Sequence, residues 1–125
     1  MNELRKQRVL VVDDDPRIIR FIRASLMAHG YDVLTATNGE EALEVVKMNT
    51  PDIMLLDIRL PVKDGFEVLQ ELRTFSSMPV IAFSANSSVS KQALSLGAND
   101  FISKPFTPDE MITRTRAILN RTKKQ

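Results

Sequence analysis

The sequence predicts a single α/β domain with a doubly wound (βα)5 arrangement, in which helices cover both faces of a five-stranded parallel sheet. The apolar runs at residues 9–12, 53–56 and 80–83 do not alternate with polar residues, which indicates strands buried on both faces. Helical patterns separate these runs, and strands that alternate with helices specify a parallel sheet. A chain of 125 residues with 43% hydrophobic residues can bury the core that this fold requires.

The composition excludes several classes of protein. The 17 Lys and Arg against 16 Asp and Glu give a net charge of +1, too small to attract nucleic acid or a membrane by itself. The absence of cysteine excludes disulfides, thiolate metal sites and thiol nucleophiles. Residues 1–8 lack the apolar core of a signal peptide, and no later apolar run approaches membrane-spanning length. We therefore expect a soluble, cytoplasmic protein.

One domain is expected to occupy residues 1–125. Its core extends from about residue 8 to residue 121, after a polar lead of residues 1–7. Residues 122–125 form a basic tail, which is either a terminus or the start of a linker to an output domain.

Residues 9–30 predict the first strand and the first helix. Proline is favoured at the first position of a helix, so Pro16 indicates Asp15 as the N-cap. Gly30 ends this helix, whose apolar stripe contains Ile18, Ile19, Ile22 and Leu26. Capping explains Asp15 alone. Asp13 and Asp14 remain at the end of the strand, where two adjacent carboxylates repel each other unless a cation offsets them.

Residues 31–57 predict two strands around a second helix. Residues 31–36 combine β-branched and aromatic residues with polar ones, as is typical of an edge strand. Asn38 and Glu41 have the spacing of a capping box, which opens the second helix. The apolar run at 53–56 ends in Asp57, and ligands of open α/β sheets bind at the carboxyl ends of the strands.

Residues 58–97 predict the third helix, the fourth strand and the fourth helix. Proline and glycine in residues 58–65 indicate a loop, after which Phe66, Leu69 and Leu72 define a helix. The strand at 79–83 ends in Ser84. The serine-rich residues 87–96 form a weakly amphipathic helix that Gly97 closes.

Residues 101–121 predict the last strand and helix. The short strand at 101–103 is followed by Lys104 and Pro105. Thr107 is the expected N-cap, with Pro108 in the first turn and Glu110 at the capping-box position. One face of this helix contains Met111, Thr115, Ile118 and Leu119.

Four of the five predicted strands end in a chemically useful side chain. These side chains belong to Asp13 and Asp14, Asp57, Ser84, and Lys104. Carboxylates suit a hard cation, and a hydroxyl with an ammonium group suits a phosphoryl group held beside Mg²⁺. Asp57 can then be the nucleophile, since carboxylates form aspartyl phosphates in covalent catalysis.

Five segments together resemble the receiver domain of bacterial two-component response regulators (CheY-like), over essentially the full chain. In the order of that family, they are Val9–Asp15, Asp52–Asp57, Leu60–Gly65, Pro79–Ala85 and Phe101–Phe106. The resemblance implies the flavodoxin-like strand order 2-1-3-4-5. It also implies a histidine kinase as partner and contact with DNA only through an output domain. The chain would be a phosphoacceptor and not an enzyme, although it could promote its own phosphorylation and dephosphorylation.

The resemblance assigns a role to each residue of the acidic site. Asp57 accepts the phosphoryl group and binds Mg²⁺ together with Asp14. Asp13 acts on the metal through water, and the backbone carbonyl of Arg59 completes the ligands from the protein.

The resemblance also assigns the residues that would read the phosphoryl group. Ser84 hydrogen-bonds to it and Lys104 pairs with it, while Pro105 follows a cis peptide bond. Phosphorylation adds about −1.5 to −2 charges, which can draw Ser84 inward. Phe101 then fills the vacated space, and the face formed by the fourth helix, fifth strand and fifth helix changes.

The last strand and helix resemble the OmpR-type subfamily, in which a charged face pairs two receivers on activation. The residues that carry this resemblance are Asp100, Glu110, Arg114 and Arg116. We therefore expect a phosphorylation-dependent homodimer. The segment from Ser84 to Phe101 is about two residues shorter than the commonest receiver spacing, which leaves the start and length of the fourth helix open.

Two other classes of function compete with the phosphorylated switch. One is a pseudo-receiver that keeps the fold as an interaction module without phosphorylation, and the complete acidic and lysine set argues against it. The other is a small α/β phosphohydrolase or nucleotide-binding enzyme, but no glycine-rich phosphate loop follows the first strand.

Overall fold

The computed structural model describes residues 5–123, and five strands alternate with five helices over that range. The predicted polar lead and basic tail lie partly on residues 1–4 and 124–125, outside the described residues. The strands are β1 (Arg8–Val12), β2 (Asp32–Ala36), β3 (Ile53–Asp57), β4 (Val80–Ser84) and β5 (Asp100–Ser103). The helices are α1 (Pro16–Ala28), α2 (Gly39–Asn49), α3 (Gly65–Leu72), α4 (Ser90–Ser95) and α5 (Pro108–Lys123).

The strands form one parallel sheet in the order β2-β1-β3-β4-β5, which confirms the predicted fold and strand order. Successive residues of a strand point to opposite faces. Val9 and Val11 pack in a core with Ile22 of α1 and Ile118 of α5. Leu10, on the opposite face, packs with apolar residues of α2, α3 and α4. Both faces are covered, which explains why the central strands show no polar alternation.

The predicted starts of α1, α2 and α5 hold, with two differences in capping, whereas α5 continues to Lys123, into the segment predicted as a basic tail. Asn38 accepts a hydrogen bond from the Glu41 backbone amide, but the Glu41 side chain accepts from the amide of Thr37 and does not return to Asn38. Thr107 Oγ1 caps α5 by accepting from the Glu110 amide. The Glu110 carboxylate contacts Arg114 instead of completing a capping box, because an oppositely charged partner lies one turn further along the helix.

Two elements differ from the sequence prediction more clearly. Gly65 is the first residue of α3 and not part of the loop, because Asp64 and Glu67 form a complete capping box around it. The fourth helix begins at Ser90, since Asn86 accepts a hydrogen bond from the Ser88 amide and starts a 3-10 turn over residues 87–89.

No helix in residues 5–123 combines the length and the apolar character that crossing a membrane requires.

Replacement of Thr115 by valine is expected to raise the free energy of unfolding by about 1 kcal/mol. Thr115 is fully buried in α5, and its hydroxyl has no hydrogen-bond partner among the described residues. Valine has nearly the same shape and similar helix propensity, so the main change is the removal of an unpaired buried hydroxyl. Urea unfolding measures the difference. Thr113→Val, at an exposed position of the same helix, is the control, and an equal effect at both positions would contradict the prediction.

Candidate functional site

The carboxyl ends of β1, β3, β4 and β5 surround a cleft of about 410 Å³ at one edge of the sheet. The topology predicts this location, because the carboxyl ends of parallel strands lie together. The residues that line the cleft are Asp13, Asp14, Asp15, Asp57, Arg59, Ser84, Ala85, Asn86 and Lys104. The structure therefore brings together every acidic, hydroxyl and lysine residue that the sequence analysis placed in the site.

Three carboxylates form the centre of the cleft. Asp13 and Asp57 are buried, at 1% and 4% exposure, whereas Asp14 is exposed to solvent. Each of the three places one oxygen within 4.8 Å of the others. Asp13 Oδ1 also accepts a hydrogen bond from the Asp15 amide at 2.9 Å, which holds the side chain toward the cleft. Hard divalent cations prefer such clustered carboxylate oxygens, so this donor set fits Mg²⁺.

Lys104 places a positive charge against the buried carboxylates of the site. Its Nζ lies 3.3 Å from Asp13 Oδ2 and 3.3 Å from Asp57 Oδ2, so one ammonium group contacts both buried carboxylates. The same Nζ lies 5.2 Å from the centroid of the Phe83 ring, which is a cation–π distance. The Lys104 amide donates to the Ser84 carbonyl, and the Lys104–Pro105 peptide bond is cis.

Asp57 has an unusual protonation equilibrium. Burial, followed by repulsion from the Asp13 carboxylate, raises the pKa of Asp57 from an ordinary 3.8 to about 6. The Arg59 amide, which donates to Asp57 Oδ1 at 3.1 Å, and the Lys104 ammonium oppose this increase. The two favourable contacts do not fully compensate for burial and for repulsion from Asp13, so the ionised carboxylate is disfavoured in the folded protein.

Ser84 is buried at the end of β4 and faces the same cleft. Its Oγ accepts a hydrogen bond from the Asn86 amide at 3.1 Å, which leaves the hydroxyl hydrogen available for another acceptor. Phe101 lies outside the cleft, half-buried against the core beneath α4. The two residues of the predicted switch are thus close in the sheet, since Ala82 pairs with Phe101 and Ser84 with Ser103.

The residues of the predicted dimer face pair mainly within the chain. Arg114 Nη1 contacts the two Asp100 carboxylate oxygens at 2.9 and 3.1 Å, and Nη2 lies 3.4 Å from Glu110 Oε2. Arg116 is exposed two positions further along α5. A second chain could thus contact Arg116 without disturbing this intrachain network.

Two features of the site and one of the loop that follows β3 were not predicted from the sequence. Asn86 and the aromatic ring of Phe83 are the first two, and the pair of an Asn with a serine two residues later could have indicated an Asx turn at Asn86. The third is Val62, whose φ of 68° lies in the left-handed region although valine is β-branched. A hydrogen bond from the Lys63 amide to the Pro61 carbonyl (2.7 Å) closes a γ-turn around it.

Comparisons with known proteins agree with this geometry. The family model described as the response regulator receiver domain matches residues 9–116. The probable transcriptional regulator ycf27 of Porphyridium aerugineum is 43% identical over 123 residues, which are 97% of this chain and 51% of that protein. The transcriptional regulatory protein KdpE of Mycobacterium tuberculosis is 44% identical over 115 residues, or 90% of this chain and 51% of that protein.

The chain thus spans about half the length of the curated relatives that it matches. Among solved structures, the Francisella response regulator 1452 receiver domain superposes with a TM-score of 0.88 at 35% identity. That match covers 94% of this chain and 99% of the other, so the similarity extends over the whole domain.

Proposed function

The chain belongs to the response regulator receiver family, and on that premise we propose that it is a cytoplasmic phosphoacceptor that takes a phosphoryl group on Asp57 from a histidine kinase. One observation supports this most strongly. The buried Asp57 carboxylate lies beside the carboxylates of Asp13 and Asp14, and its Oδ2 lies 3.3 Å from the Lys104 Nζ. A candidate nucleophile, a carboxylate cluster that suits a cation, and a positive charge therefore meet in one cleft.

The chemistry of the transfer follows from these positions. An Asp57 carboxylate oxygen attacks phosphorus, the phosphorus–nitrogen bond to the histidine of the kinase breaks, and the departing imidazole nitrogen takes up a proton. Asp14, Asp57 and the Arg59 carbonyl would hold Mg²⁺, with Asp13 acting through water. The metal supplies charge that offsets the repulsion between an anionic nucleophile and an anionic donor.

The remaining residues of the cleft would stabilise the phosphorylated state. Lys104 already reaches Asp57, so its ammonium can pair with an oxygen of a phosphoryl group there. The uncommitted hydroxyl hydrogen of Ser84 can donate to a second oxygen. Movement of Ser84 toward the phosphoryl group would be followed by Phe101, and the α4-β5-α5 face would change.

The relatives are named as transcriptional regulators, so we propose that an attached or partner output domain carries the response to DNA.

Acetyl phosphate with Mg²⁺ tests this function directly. We expect intact mass to show one added phosphoryl group on the wild-type protein, and none on Asp57→Asn or after removal of Mg²⁺. Asp109→Asn, an exposed aspartate of α5, is the matched control and should be labelled like the wild type. A wild-type protein that stays unlabelled would favour the pseudo-receiver, and repeated turnover of a phosphomonoester would favour a phosphohydrolase.

We also propose that phosphorylation pairs two copies through the α4-β5-α5 face. Sedimentation velocity with beryllofluoride and Mg²⁺ should show a dimer, and Arg116→Glu should weaken it at least tenfold because an exposed positive charge is reversed. Arg20→Glu, on α1, should not. A protein that remains a monomer with and without beryllofluoride would exclude this assembly.

A further inference from the structure

The α4 helix is attached unequally at its two ends. It has six residues, Ala93 is buried, and Val89 provides no side-chain cap at the N-terminal end. Before it, the hydrogen bonds of residues 86–89 are local. The Ser88 amide bonds to the Asn86 side chain at 3.0 Å, and the Val89 amide bonds to the Asn86 carbonyl at 3.3 Å. The Asn86 amide also donates to Ser84 Oγ at 3.1 Å, so this end of the segment is attached to the end of β4 that borders the cleft and can move with it.

Arg73 attaches the other end. Its Nε and Nη2 donate to the Gly97 carbonyl at 3.1 and 2.7 Å, and Nη2 also donates to Asn99 Oδ1 at 3.2 Å. Its Nη1 donates to the carbonyls of Ser76 at 3.1 Å and Met78 at 2.8 Å. One guanidinium group at the end of α3 thus joins the loop before β4 to the loop between α4 and β5.

The surroundings of Gly97 leave little freedom at this attachment. Gly97 has a φ of +113°, and a Cβ there would lie 2.8 Å from Arg73 Nε. Asn99 continues the attachment, since its amide donates to the Val80 carbonyl at 2.7 Å and its Oδ1 accepts from the Val80 amide at 2.9 Å. The C-terminal side of α4 is therefore held against β4 by bonds between segments far apart in sequence.

We propose that Arg73 is a positioning residue that fixes the C-terminal end of α4, so that a change beside Ser84 turns the helix about Gly97. The source of that change is phosphoryl acceptance at Asp57, so this part of the inference rests on the proposed function. The cleft lies at the carboxyl ends of the strands, and Arg73 acts at their amino ends. The two ends of α4 are therefore attached to different parts of the domain: Arg73 fixes the C-terminal end, and the N-terminal end follows the segment beside the cleft.

Amide hydrogen exchange followed by NMR tests the anchor before any phosphorylation. Arg73→Met removes the guanidinium donors and keeps an aliphatic side chain. We expect the amides of Ala98 and Asn99 to exchange roughly tenfold faster than in the wild type, with the amides of β1 unchanged. Arg8→Met is the matched control, because the Arg8 guanidinium also donates to a backbone carbonyl, that of Asn49, at a place remote from α4. Arg73→Lys, which keeps the charge without the planar fork, provides the comparison if Arg73→Met does not fold.

Acetyl phosphate and Mg²⁺ then test the turning of the helix, with intact mass reporting the adduct in each variant. In the wild type, we expect phosphorylation to change the amide chemical shifts strongly at residues 86–90 and weakly at residues 97–99. In Arg73→Met, they should extend to residues 97–99. The inference is overturned if Arg73→Met and Arg8→Met exchange alike at Ala98 and Asn99, or if residues 97–99 of the wild type shift as much as residues 86–90. An absent mass adduct would refute the proposed function and the response at α4, while the exchange rates still decide whether Arg73 is the anchor.

Discussion

In the metal-free protein at pH 8, Asp57→Asn is expected to raise the free energy of unfolding by about 2–3 kcal/mol. Burial, together with the nearby Asp13 carboxylate, raises the pKa of Asp57 to about 6 from an ordinary 3.8. Ionisation of Asp57 therefore costs more free energy in the folded protein than in the unfolded chain. Asparagine keeps the shape of the side chain and an acceptor for the Arg59 amide, and it removes the charge.

The sign of the pH dependence follows from the same equilibrium. Between pH 3.8 and pH 6 the folded state binds more protons at Asp57 than the unfolded state does. The contribution of this group to stability is thus fully present below pH 3.8, decreases as the pH rises to about 6, and stays low above it. The difference between Asp57→Asn and the wild type should be near zero at pH 4 and reach its plateau above pH 7.

Urea unfolding in EDTA at pH 4, 6 and 8 measures this difference. Asp32→Asn, an exposed aspartate of β2, is the control and should change stability by less than about 0.5 kcal/mol. Addition of Mg²⁺ at pH 8 should then stabilise the wild type and have little effect on Asp57→Asn, because the proposed metal site has lost a carboxylate. If the metal-free Asp57→Asn variant is no more stable than the wild type at pH 8, the prediction is contradicted. The charge of the buried Asp57 carboxylate would then be compensated by its surroundings.

The sequence predicted the sheet and the location of the site because both depend on patterns within single segments. Uninterrupted apolar runs marked strands covered on both faces, and residues that follow such strands must meet at one edge of a parallel sheet. Asp13, Asp57 and Lys104 are far apart in the chain, and the topology brings the Lys104 Nζ to 3.3 Å from both carboxylates.

The features that the sequence did not predict depend on contacts between segments. The Arg73 guanidinium could have extended into solvent. Its bonds to the Ser76 and Met78 carbonyls are local, and only the packing of α3 beside the α4–β5 loop supplies the Gly97 carbonyl. The intrachain network of Arg114 was similarly unpredictable, since its spacing to Asp100 is compatible with pairing inside one chain or between two. Val62 opposes its own local preference, because a β-branched residue at positive φ persists only where the adjoining loop determines it.

Gly65→Ala is expected to lower the free energy of unfolding by about 3 kcal/mol and to slow phosphoryl acceptance on Asp57. A Cβ at Gly65 would lie 2.5 Å from the Ile58 Cα and 2.8 Å from the Asp57 carbonyl oxygen. Both are backbone atoms at the end of β3, so a rotamer change cannot relieve the contact. The Gly65 amide also donates to the Ile58 carbonyl at 2.8 Å, which ties the start of α3 to this strand end. The better helix propensity of alanine offers less than about 1 kcal/mol in return.

Gly30→Ala separates this steric effect from the general effect of adding a methyl group. Gly30 has a φ of +90°, but no atom lies within 4 Å of a Cβ placed there, so we expect only backbone strain of about 1 kcal/mol. Urea unfolding, together with the initial rate of acetyl phosphate labelling, compares the two variants. Gly30→Ala should be labelled at the wild-type rate, because it is remote from β3. A Gly65→Ala protein that is labelled equally fast would show that α3 can move away without displacing Asp57. The position of the nucleophile would then be independent of the close contact between Gly65 and the strand end.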